Sequence, residues 1–166
     1  LRIKKVKVTK EKRILIMYEK KGKNGWWDEY SLTCSEDARP EFHQTLRDLR
    51  THVLDMCELP ENYLDRLTVR GVSFSYGGEA EVMGATISAS MELYESNQGL
   101  NINTPHKAED SYCDAPADPK QLLDAKCIKC LDRLMEESEL YIQGDRAQGS
   151  LFPEVIKENI EAAQLN

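Results

Sequence analysis

The sequence predicts a mixed α+β domain in which two antiparallel three-stranded meanders are each followed by a helix, βββα-βββα, ahead of a short helical tail. Three observations lead there. Short β-branched or alternating apolar runs occupy residues 3–34 and 67–104; apolar residues recur at three- and four-residue steps over 42–56 and 122–140; and turn-forming residues separate the runs. Amphipathic helices beside half-buried strands pack on one face of an antiparallel sheet. The 166 residues accommodate one such domain, residues 1–144, and a tail, residues 145–166.

Ile3 to Val8 and Ile14 to Tyr18 are strand-like runs separated by Thr9-Lys10-Glu11-Lys12, which reads as a hairpin. A second turn is expected at residues 21–25, where Asn24-Gly25 supplies positive φ at little steric cost. Trp27 to Cys34 alternates, with Tyr30, Leu32 and Cys34 on one face. Pro40 suits the first turn of a helix, and Phe42, Leu46, Leu49, Val53 and Met56 give it an apolar stripe up to Leu59-Pro60. His43, Arg47, Arg50 and His52 fall largely off that stripe.

After a polar link over residues 61–65, Leu67 and Val69 share one phase and Val72, Phe74 and Tyr76 share the other, so Gly71 marks a bulge. Gly77-Gly78 turns the chain into the most regular alternation of the sequence, Met83, Ala85, Ile87, Ala89, Met91 and Leu93 against small or polar neighbours. Asn97-Gln98-Gly99 leads to a third strand over residues 100–104, and residues 105–117 read as a loop. Asp118, Pro119 and Gln121 predict an N-cap, a first-turn proline and a capping box for a helix running to Gly144.

The net charge of −7 averages two opposed regions: residues 1–24 carry ten basic and two acidic side chains, a local charge of +8, against −15 for the remainder. A polyanion would meet only the basic part. Lys5, Lys7, Lys10, Lys12, Arg13, Lys21 and Lys23, with Trp26 and Trp27 nearby, offer phosphate attraction and flat stacking surfaces, the two ingredients of single-stranded nucleic-acid binding. The plainer alternative is that strand lysines keep sheets from associating and tryptophans fill the core.

The run Gln148-Gly149-Ser150-Leu151-Phe152 places two apolar anchors behind a glutamine in a polar tail. Such a segment docks in a groove, with Leu151 and Phe152 in an apolar pocket and the Gln148 amide at its rim, or else pins the tail to its own domain. It resembles, at four of five positions, the pentapeptide with which bacterial replication and repair proteins bind the β sliding clamp. Glycine stands where a larger residue is usual. The phrases Gly71-Val72-Ser73-Phe74-Ser75-Tyr76 and Asn103-Thr104-Pro105-His106, with the Arg146–Phe152 ending, are similar to uncharacterised bacteriophage and prophage proteins. That resemblance implies a viral or prophage origin, consistent with engagement of a host's replication machinery; the pentapeptide implies docking on the clamp through Gln148, Ser150, Leu151 and Phe152, and the residues of the basic hairpin make it the expected contact for single-stranded DNA.

No catalytic constellation and no cofactor site emerges. Cys127 and Cys130 have zinc-knuckle spacing, and His106 and Cys113 could complete a ligand set, but one tight pair inside a helix reads as core packing, so no metal is assigned. The histidines have no serine motif near them, and Glu36-Asp37 and Glu136-Glu137 read as solvated helix faces. Five cysteines without a secretory segment point to a reducing bacterial cytoplasm, and no run of 18 apolar residues spans a membrane. A non-enzymatic accessory factor of DNA replication or recombination is therefore expected. The alternative is a viral anti-defence protein that binds a host immune factor or sequesters a nucleotide signal, with Arg70, Tyr76, Asn103 and His106 as a conceivable pocket.

Overall fold

The computed structural model describes residues 1–147. It contains seven strands, β1 (Arg2–Val8), β2 (Ile14–Lys21), β3 (Trp27–Cys34), β4 (Leu67–Gly77), β5 (Val82–Met91), β6 (Leu100–Asn103) and β7 (Lys107–Ala108), and two α-helices, α1 (Pro40–Met56) and α2 (Ala125–Ile142). The clamp-like run Gln148, Ser150, Leu151 and Phe152 and the expected terminal helix lie outside the described residues.

The two expected meanders are not separate. All seven strands form one antiparallel sheet in the order β3-β2-β1-β4-β5-β6, with β7 also paired to β5. The first and second halves join where β1 runs antiparallel to β4, Lys5 opposite Ser73, Val6 opposite Val72 and Lys7 opposite Gly71. Gly71 is indispensable there: a Cβ at this position would sit 2.2 Å from the Val6 carbonyl oxygen. The β4–β5 register shifts between Val69 and Gly71, as the phase break in the sequence predicts.

Both hairpin turns of the first half follow from local chemistry. Thr9 Oγ1 accepts from the Arg13 amide, and Lys12 takes φ 61° to close the β1–β2 turn. In the β2–β3 turn Gly25 has φ 83°, and Asn24 Oδ1 accepts from the Trp26 amide.

Helix α1 begins at Pro40 without a side-chain cap and ends in a left-handed residue, Glu58 (φ 54°), whose neighbour Leu59 donates to the Leu54 carbonyl. Gly144 (φ 103°) plays the same part at the end of α2, with Asp145 donating to the Leu140 carbonyl. The polar link before β4 is a 3-10 turn, Glu61–Arg66.

The start of α2 differs from the sequence expectation. Asp118 does cap, but it caps a single 3-10 turn, Pro119–Gln121. The chain then extends so that the Leu123 amide donates to the Ala108 carbonyl and Leu123 is buried, and Asp124 becomes the true N-cap by accepting from the Cys127 amide at 2.7 Å. Strand β7, inside the expected loop, supplies that partner. Burial of Leu123 and one β-type hydrogen bond outweigh a helical turn exposed to solvent.

Both helices cover the same face of the sheet. Phe42, Leu49 and Val53 of α1 and Leu131, Leu134 and Tyr141 of α2 meet Ile3, Val6, Ile16, Val72 and Ile87 in one continuous core. Tyr76 points into it and donates to the Ile3 carbonyl at 2.7 Å, and its burial pushes its pKa up to about 12. Among the described residues no helix is long and apolar enough to cross a membrane.

Because the two halves are joined at Gly71, replacing it with alanine forces β1 away from β4. Gly71→Ala is expected to destabilise the domain by at least roughly 1–3 kcal/mol, read as a lower urea midpoint. A midpoint equal to that of the unaltered protein would show that the seam is not tightly closed.

Candidate nucleic-acid interface

The sheet face that the helices leave uncovered carries the side chains alternating with the core. Register places Lys7, Gly71, Ser88 and Asn103 in one row across four strands, and Lys5, Ser73 and Thr86 in the next. At about 4.8 Å per strand the first row spans roughly 14 Å. Gly71 adds no side chain to the row's middle, so the surface dips there. The resulting concavity, about 710 Å³, is lined by Lys5, Lys7, Lys10 and Arg70, by the hydroxyls of Ser73, Ser88 and Ser90, and by the amides of Asn97, Gln98, Asn101 and Asn103.

Its electrostatics are one-sided. No acidic residue lines it, and among the described residues none of its four cations takes part in an ion pair. Ser88 Oγ donates to Asn103 Oδ1 at 2.8 Å, which occupies the amide's acceptor and leaves its N–H groups for a ligand. Cations, hydroxyls and amide donors without competing carboxylates suit phosphate and sugar oxygens. No aromatic side chain lines the concavity, so the arrangement favours the nucleic-acid backbone over stacked bases.

The basic residues expected from sequence divide between the two ends of the β1–β2 hairpin. Lys5, Lys7 and Lys10 line the groove, and Lys12 and Arg13 are exposed in the turn beside Lys10. Lys21, Lys23, Trp26 and Trp27 lie at the opposite end, since Lys21 pairs with Trp27 while Ile14 pairs with Cys34; seven residues of strand put roughly 23 Å between them. Trp26 is 73% exposed. Trp27 is covered by the Arg2 guanidinium, 3.9 Å from its ring, and Arg2 is itself held by Glu19 at 2.6 Å and Glu81 at 3.1 Å. Lysines and tryptophans are thus neighbours in sequence but not in one surface.

Ser88, Ser90 and Asn101 were not among the expected contacts. For Ser88 and Ser90 the signal was present in the alternation of residues 83–93, whose small polar members must face away from the core. Of the conceivable pocket Arg70, Tyr76, Asn103 and His106, only Arg70 and Asn103 line the groove; Tyr76 belongs to the core. His106 lies further along the open face, its Nε2 2.8 Å from Ser75 Oγ and 3.4 Å from the Tyr112 hydroxyl. Sequence spacing gave no hint of this serine–histidine contact. Among the described residues no carboxylate hydrogen-bonds to the other ring nitrogen of His106, so the pair lacks the orienting group of a nucleophile triad.

Cys127 and Cys130 face the core, and Cys130 Sγ donates to the Thr45 carbonyl. They do not meet His106 and Cys113: among the described residues the one cluster of potential metal ligands is His52, Asp55 and Asp124. Comparison of the chain with family models, with curated proteins and with solved structures found no match.

The thiols differ sharply in environment. Burial, with the Asp124 carboxylate second, pushes Cys127 up to about 12, whereas amide and hydroxyl donors from Ala115 and Ser111 lower exposed Cys113. Brief iodoacetamide treatment at neutral pH is expected to label Cys113 first and to reach Cys127 and Cys130 only after unfolding, as read by peptide mass spectrometry. Early labelling of Cys127 would contradict its placement in the core.

Proposed function

We propose that this protein is a non-enzymatic accessory factor of DNA replication or recombination, of bacteriophage type, that holds a single-stranded nucleic acid on its open sheet face. The observation that carries the reading is the groove of Lys5, Lys7, Lys10 and Arg70, four cations set among hydroxyl and amide donors and without ion-pair partners among the described residues. Phosphates bound there release counterions, and contact is independent of base sequence. The second part of the proposal, docking on a bacterial β sliding clamp through Gln148, Ser150, Leu151 and Phe152, rests on the sequence run alone. A weak peptide contact to a ring already on DNA acts by raising local concentration, which a modest groove affinity needs. Such a factor works in the host cytoplasm.

A second reading has one specific observation in its favour. The groove is concave and of a volume that suits a small ligand, with Arg70 and Asn103 both in its lining. A viral anti-defence protein that sequesters a nucleotide signal would use the same donors.

Full-length protein is expected to bind an oligothymidylate with a log–log salt slope between about −2 and −3, four phosphate contacts setting the upper limit. The pair Lys5→Glu and Arg70→Glu should weaken binding more than roughly tenfold and flatten the slope, while Trp26→Ala should leave both unchanged. No affinity at low salt would refute the groove reading, and efficient competition by mononucleotides would favour sequestration.

Clamp docking is tested separately. A peptide of residues 145–155 titrated against purified clamp is expected to bind at micromolar strength, and the full chain carrying Leu151→Ala and Phe152→Ala is expected to lose clamp binding while keeping its DNA affinity. A clamp-binding curve indistinguishable between the two chains removes that half of the proposal.

A further inference from the structure

The face of the domain away from the groove contains a second, smaller cavity of about 160 Å³ between the end of α1 and the start of α2. His52 and Asp55, three residues apart on α1, present their side chains on the same side of the helix, and Asp124 reaches the same point from the N-cap of α2. One ligand atom from each lies within 4.8 Å of the other two, and His52 Nδ1 is 3.9 Å from Asp124 Oδ1. A second observation comes from the cavity wall. Cys127 lines it, is 2% exposed, and its Sγ makes no hydrogen bond among the described residues.

We propose that His52, Asp55 and Asp124 form a site for a divalent transition ion of the zinc class, with Cys127 in the wall of the same cavity. One imidazole and two carboxylates are a borderline donor set that neutralises a dication, and the imidazole directs preference towards zinc or cobalt over calcium or magnesium. Ligand atoms around tetrahedral zinc stand roughly 3.3 Å apart, given bonds of about 2.0 Å, so the trio must close by about 1 Å. Asp55 is an exposed side chain with rotamer freedom to do so. Asp124 is already oriented, because the Cys127 amide donates to its Oδ1 at 2.7 Å; such fixed outer hydrogen bonds are typical of metal-bound carboxylates. Lys107 also lines the cavity. The ion would clamp the end of α1 to the start of α2.

The test uses full-length, chelator-treated protein titrated with Co²⁺ alone and then displaced with Zn²⁺. One equivalent of cobalt should bind with the visible absorption of a low-symmetry four-coordinate ion, and zinc should remove it. Asp124→Asn keeps the helix cap, since asparagine caps as well as aspartate, so its melting temperature without metal should hold while cobalt affinity falls at least roughly tenfold. His52→Ala should fall likewise; if it fails to fold, Asp124→Asn decides. Cys127→Ser should keep binding and leave the cobalt spectrum unchanged. Absence of stoichiometric binding, or binding that Asp124→Asn leaves intact, overturns the site.

Discussion

The close approach of β1 to β4 at Gly71 is the contact on which the architecture rests. Without it the chain has two small meanders, each with exposed edges and half a core. With it, Val6 and Val72 stand side by side under the helices while Lys5 and Lys7 stand beside Ser73 on the other face. The same missing side chain lets two backbones touch and leaves the dip that becomes the groove. Stability and binding surface therefore share one residue, and the cost of altering it falls on both.

A sheet covered on one face only must solve the problem of the other. Here β4, β5 and β6 present serine, threonine and asparagine, and β1 presents lysine. Solvation alone would be met by mixed charges, as on most protein surfaces. Instead the acids that would neutralise the strip are drawn elsewhere: Glu19, 6% exposed, holds Arg2 and approaches Lys4. That pair consumes two of the first four cations and fixes Arg2 over Trp27. The cations lining the groove are left without ion pairs among the described residues, and the chain's overall negative charge would confine a polyanion to this face.

Much of this was legible in the sequence because it depends on neighbours along the chain. Alternation gave β5, the phase break gave the Gly71 bulge, Asn24-Gly25 gave the turn, and the spacing of Phe42, Leu46, Leu49 and Val53 gave α1. What was not legible depends on distant partners. Nothing near Lys5 announces Ser73, so the two meanders read as separate units. Asp118, Pro119 and Gln121 carry every local sign of a helix start, yet Leu123 finds the Ala108 carbonyl and moves the helix to Asp124. The binding surface divides in the same way. Its lysines were visible as a cluster, but only register could bring Arg70, Ser88 and Asn103 to them and carry Trp26 and Trp27 away.

The geometry also bears on whether the two proposed contacts can act together. The chain is anchored up to Ala147, whose amide donates to the Asp37 carbonyl, while Arg146 lies over Tyr141 and pairs with Glu36 at 3.0 Å. Asp37 follows β3 by three residues, and the last residue of β3, Cys34, is in register with Ile14 and through it with Val8, which lines the groove. Two strand spacings and three residues of chain make roughly 20 Å at most. Ala147, the last described residue, therefore lies at the Lys10 end of the groove and not at the distant Trp26 turn. A ring held there and a strand held in the groove would be separated by a short path, the regime in which a tether gives its largest gain in effective concentration. Had the chain left the domain at the β2–β3 turn, the same peptide would have had to span the length of the sheet before the two contacts could cooperate.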